Sequence, residues 1–140
     1  MTIKQKTDHW VMLSYTDIKA VRSEVKVKNY IIALYHGQQA IEKLFKALCT
    51  TRGISPPPIH SLIRLAQVAH YPLVQQDVVN LQTISDFNMM CRYDDLTAKF
   101  IKSCTEQYAK TWVKVIEIWY KILRAKIKQE RNALPNNVHI

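Results

Sequence analysis

The most regular hydrophobic spacing in the chain runs through Tyr30, Leu34, Gly37, Ile41, Leu44 and Leu48, at steps of 4, 3, 4, 3 and 4. Such a seam is what one face of an α-helix shows to a neighbour, and it predicts a helix over 29–50. A second long seam, Tyr108, Trp112, Ile116, Trp119, Leu123 and Ile127, steps by 4, 4, 3, 4 and 4 and predicts one last helix over 96–131. Trp10, Ser14, Ile18, Val21 and Val25 form a weaker stripe on a helix from Thr7 or Asp8, as N-cap, to about residue 27. A shorter helix over 60–69 turns Leu62, Leu65, Ala66 and Ala69 inward, and another over 74–90 carries Val74, Val78, Leu81, Ile84, Phe87 and Cys91 on one side. Gly53, the prolines 56–58, Pro72 and the run CRYDDLT (91–97) punctuate these segments. Residues 1–55 and 73–134 contain no proline and the chain has only two glycines, so a turn-rich β fold is disfavoured. The pattern predicts an all-α fold, an up-and-down bundle of about five helices in a single domain over 1–140, with 132–140 as a frayed tail.

Composition narrows the function classes. At 140 residues, 48% hydrophobic and 22% charged, the chain is of globular type and long enough for a real core. Two glycines cannot build a phosphate-cradling loop of the Walker or dinucleotide-binding kind. Three cysteines without a CxxC pair predict free thiols in a reducing compartment and imply neither metal nor cofactor. With no apolar leader and no uncharged stretch longer than 13 residues, the sequence predicts a cytoplasmic protein without a membrane span.

The formal net charge is +9, concentrated in 1–28 and 105–140, which favours an anionic partner. On the last helix Lys110, Lys114, Glu117, Lys121, Arg124, Lys128 and Arg131 step by 4 and 3 along about 31 Å. That stripe reads as a solvated face or as a ridge for phosphates. On the second helix Gln39, Glu42, Lys43 and Lys46 project from one side, away from the seam. They read as a reinforced surface or, with His60 at the next helix start and Arg92 and Tyr93 at the last inter-helix turn, as a polar cleft. In such a cleft amide, ammonium and guanidinium donors meet phosphate oxygens, and Tyr93 or Tyr35 stacks on a base.

The run QQAIEKLFKAL (38–48), RGI (52–54), the proline-rich gap, HSLIRL (60–65) and RYDD (92–95), in this order, resemble the HEPN domain family. The likeness spans about 8–127 and includes TDIKAV (16–21), with Asp17 at the family's acidic position. It implies a helical bundle that forms homodimers and associates with nucleotides or RNA. It also implies a minimal nucleotidyltransferase as a separate partner, sometimes as a toxin–antitoxin pair in prokaryotes. The resemblance supports His60 and Arg92 in particular, and with the cleft residues Gln39, Lys43, Lys46 and Tyr93 they are the expected nucleotide or RNA contacts. Many members are metal-independent ribonucleases with an Arg followed after four to six residues by a His. Here Thr97, Ala98 and Lys99 occupy the positions where that histidine would follow Arg92. The chain is therefore expected to bind rather than cut, with a degenerate endoribonuclease using Arg92 and His60, or a ligand-free assembly module, as the alternatives. Two further departures are Ser61 for the acidic residue common after His60 and Asp94 for the proline common after Arg92 and Tyr93.

Overall fold

The computed structural model describes residues 1–92 and 94–139, in which six helices and no strands are found. These are α1 (Ile3–Lys26), α2 (Tyr30–Thr51), α3 (Leu62–Val68), α4 (Gln75–Met90), α5 (Asp94–Ser103) and α6 (Glu106–Asn132). The contacts fix the directions. Thr7 of α1 meets Thr51 of α2, and Asp17 meets His36 and Lys43, so α1 and α2 run antiparallel. On α2, Gln38 meets Asn88 and the carbonyl of Ile31 meets Cys91, so α4 also opposes α2. Tyr30 bonds Glu106 and Arg52 bonds Glu130, so α6 runs alongside α2 in the same direction. Four long helices thus alternate up and down, as expected, with α3 and α5 as short pieces between them.

The two strong seams are buried apart from Tyr30, Tyr108 and Trp112, which are half-buried against the core. Leu34, Gly37, Ile41, Leu44 and Leu48 of α2 and Ile116, Trp119, Leu123 and Ile127 of α6 lie in the core. Gly37 sets the closeness of that pair, because a Cβ there would stand 2.4 Å from Cδ1 of Ile116. On α4, Leu81, Ile84 and Phe87 are buried, whereas Val74 is the exposed N-cap.

Several boundaries differ from the expectation. The predicted last helix is two helices, because the hydroxyl of Thr105 accepts from the Tyr108 amide at 3.1 Å and starts α6 afresh. The first helix begins at Ile3, where Thr2 and Gln5 form a reciprocal capping box; Thr7 is no cap but a buried hydroxyl 3.1 Å from that of Thr51. His60 precedes α3, whose N-cap is Ser61. The expected loose tail turns back, with the Ile3 amide donating to the Val138 carbonyl at 2.7 Å and Lys4 to Asn136 at 2.7 Å.

Candidate functional site

Because α1, α3, α4 and α6 surround α2, even its polar edge is covered, and Gln38, Glu42 and Lys46 are buried. The surface stripe expected at Glu42 and Lys46 is therefore an interior network. The Glu42 carboxylate, with its side chain 5% exposed, accepts from Lys46 Nζ at 3.1 Å, Gln38 Nε2 at 3.1 Å and His60 Nδ1 at 2.9 Å. Gln38 also donates to the His60 carbonyl at 3.2 Å and accepts at Oε1 from Gln39 at 2.7 Å and from Asn88 at 3.1 Å. Asn88 in turn accepts from an Arg92 guanidinium nitrogen at 3.3 Å. One chain of hydrogen bonds thus runs from His60 through Glu42, Gln38 and Asn88 to Arg92, and among the described residues no buried side-chain nitrogen or oxygen lacks a partner.

That chain holds two groups at the surface. His60, with its side chain 56% exposed, is oriented by Glu42; a carboxylate only accepts, so Nδ1 carries the shared proton, and Nε2 has no hydrogen-bond partner among the described residues. Arg92 is exposed, and its remaining N–H donors have no partner among the described residues. Both line a cleft of about 290 Å³ between the His60–Ser61 segment and α4, with Ser85 and Asp86 on its wall. The groups it presents are a guanidinium fork and an imidazole, which can donate to anionic oxygens, and a carboxylate, which can accept from hydroxyls. Arg92 pairs with neither Asp17 nor Glu42.

The other expected site residues lie elsewhere. Lys43 is bound to Asp17 of α1, which also accepts from His36 Nδ1 at 2.9 Å, so it ties α1 to α2. Lys46 sits against Glu42 and 5.6 Å from the Trp10 ring centroid, on the side of α2 that faces α1. Gln39 is a bracket on Gln38. Tyr93 lies outside the described residues, and Tyr35 packs edge-on against His36. Reading the sequence missed Gln38 and Asn88; the i,i+4 spacings of Gln38 to Glu42 and Asn88 to Arg92 are the signals that could have found them.

The basic stripe on α6 is partly neutralised. Lys110 pairs with Glu106 at 2.8 Å, Glu117 accepts from Arg22 at 3.0 Å, and Arg131 grips Asp8 at 2.6 and 2.9 Å. Lys114, Lys121, Arg124 and Lys128 have no such partners among the described residues. No cluster of three or more His, Cys, Asp or Glu is placed to hold a metal among the described residues, and none of their helices is long and apolar enough to cross a membrane.

The departures from the family pattern keep the local structure. The Ser61 hydroxyl accepts from the Arg64 amide at 3.3 Å, the capping bond an aspartate would make, and Asp94 opens α5, where a proline or an acidic residue is equally suited.

Comparison with known proteins agrees with this architecture. The family model for the HEPN domain matches residues 8–127. The crystal structure of TT1696 from Thermus thermophilus superposes with a TM-score of 0.72 at 18% identity, covering 86% of this chain and 98% of that one, a likeness of fold. No curated protein matches the sequence.

Proposed function

Because the chain belongs to the HEPN domain family, we propose that it binds the phosphate of a nucleotide or RNA in the cleft between His60 and Arg92. It does so as a homodimer, beside a minimal nucleotidyltransferase made as a separate protein. The observation that carries the reading is the convergence of His60 and Arg92, from separate segments of the chain, on one cleft through a continuous interior hydrogen-bond chain. A site held from within in this way keeps its donors in place before the ligand arrives. Arg92 takes two phosphate oxygens in parallel, and His60 Nε2 supplies a further donor when protonated. The nucleotidyltransferase partnership rests on family membership, and co-purification of the product of a neighbouring reading frame tests it.

The same Glu42–His60 pair favours the second reading, a residual metal-independent ribonuclease, since a carboxylate-fixed imidazole is the form in which histidine moves protons. The two readings separate in one pair of assays. Arg92→Lys is expected to weaken binding of adenosine monophosphate or a short RNA by about 1 to 3 kcal/mol, the loss of a charge-assisted hydrogen bond, with melting unchanged. Wild type is expected not to cut RNA. Metal-free cleavage that Arg92→Ala and His60→Ala both abolish would replace the first reading by the second, and collapse of melting in Arg92→Lys would make Arg92 a structural tie instead.

A further inference from the structure

Between them, α1 and α6 leave a groove of about 800 Å³. Its lining includes Tyr15, 48% exposed, and Ile118, 59% exposed, with the half-buried Val113 and Tyr120, and Met12 of α1 and Ile122 of α6 are likewise exposed, one helical turn from Tyr15 and Ile118. A face that meets only water has no use for two isoleucines at i and i+4 on an otherwise basic helix. The rim is cationic. Of the positive groups there, Arg22 and Lys110 are matched by Glu117 and Glu106, while Lys114, Lys121 and Arg124 have no carboxylate partner among the described residues.

We propose that this α1–α6 groove is a docking surface for an acidic amphipathic helix of a partner protein, its apolar face on Tyr15 and Ile118 and its carboxylates on Lys114, Lys121 and Arg124. Two features select this occupant. The unmatched positive charges repel a second copy of the chain laid in the same groove, so self-association is disfavoured there. A nucleic-acid backbone would satisfy the rim but leave the isoleucines without a partner, whereas an amphipathic helix satisfies both. From Lys110 to Arg124 the groove runs about 21 Å, or roughly four helical turns. The inference is independent of what the His60–Arg92 cleft binds, because no residue is shared between the two.

The test uses a fluorescein-labelled synthetic peptide of about 16 residues, enough for roughly four helical turns, with leucine on one helical face and glutamate elsewhere, and fluorescence anisotropy as the readout. Wild-type protein is expected to bind it, with affinity falling at least tenfold in Ile118→Asp, again in Lys121→Glu with Arg124→Glu, and steeply with added salt. Since Ile118 is exposed, Ile118→Asp should melt like wild type. A peptide of glutamate alone should bind at least tenfold more weakly, and oligouridylate should not displace the amphipathic peptide. Four results overturn the proposal: no binding; equal binding of the glutamate-only peptide, which would reduce the groove to bare charge; displacement by oligouridylate, which would make it an RNA surface; or a wild-type dimer in sedimentation that Ile118→Asp converts to monomer, which would make it the self-interface.

Discussion

Two side chains carry more of the structure than their polarity suggests. Arg52 closes the end of the bundle where α2, α3 and α6 finish: its Nε and one terminal nitrogen grip Glu130 at 2.8 and 2.9 Å, and the other donates to the carbonyls of Ala69 and His70 at 2.6 and 3.1 Å. The Arg52 hydrogen bond is the main cause holding the Glu130 carboxyl below its ordinary range. A carboxyl whose pKa is lowered on folding stabilises the native state above its unfolded pKa and loses that contribution as pH falls through the folded value. Glu130→Gln is therefore expected to cost about 1 kcal/mol at neutral pH. The gap to wild type should close in acid, first below the ordinary glutamate range and completely once the native carboxyl is protonated; urea unfolding at a series of pH values checks it. Glu42 is the second. Because it is the buried counter-charge of Lys46 as well as the orienter of His60, Glu42→Gln leaves an ammonium unmatched in the interior. A loss of roughly 3 kcal/mol is expected in chemical denaturation.

At the scale of helices, the α2–α6 contact is set by one absent side chain. Gly37→Ala gains helix propensity but drives its Cβ into Ile116, 2.4 Å from Cδ1 and 3.2 Å from Cγ2. A net cost of about 1 kcal/mol is expected. Ile116→Val removes the nearest atom, so the double variant should be more stable than the sum of the two single changes predicts, a coupling that a double-mutant cycle reads directly. The seams that make this contact were legible because apolar residues at 3 and 4 spacing have one physical meaning. The break between α5 and α6 was not: Phe100, Cys104 and Tyr108 continue the same spacing across it, and only the Thr105 cap interrupts the backbone. Helix ends were legible with glycine, at Gly53, and without it, since α1, α3 and α4 end within a residue of the expected 27, 69 and 90; what only the structure shows is the backbone conformation that closes them. Gly53 closes α2 in a left-handed conformation, with the Ile54 amide returning to the Cys49 carbonyl at 2.9 Å. Lys28 and His70 close α1 and α3 the same way, with φ of 60° and 58°, and nothing in their side chains announces it.

For the whole molecule, position around α2 decides what each polar group does. The sequence places Gln39, Glu42, Lys43 and Lys46 on one side of a helix; which of them reach water depends on neighbours that no local pattern specifies. Enclosure by α1 and α4 turned Glu42 and Lys46 into interior supports and Lys43 into a tie to Asp17, while, of the expected site residues that are described, His60 and Arg92 alone reached the cleft. Their convergence was legible through the order of the family's motifs, and their connection through Gln38 and Asn88 only in three dimensions. On the resulting surface, one face bears the His60–Arg92 cleft and another the unmatched cations of α6, so anion binding at the first must be told apart from diffuse attraction to the second. The most direct measurement is a nuclear magnetic resonance titration of 15N-labelled protein with adenosine monophosphate and with a short RNA, following the Arg92 Nε–H and the His60 ring nitrogens. The account predicts saturable shifts at Arg92 and His60 at concentrations where the amides of Lys114, Lys121 and Arg124 are still unmoved. Shifts confined to those α6 residues, or none at either face, would contradict it.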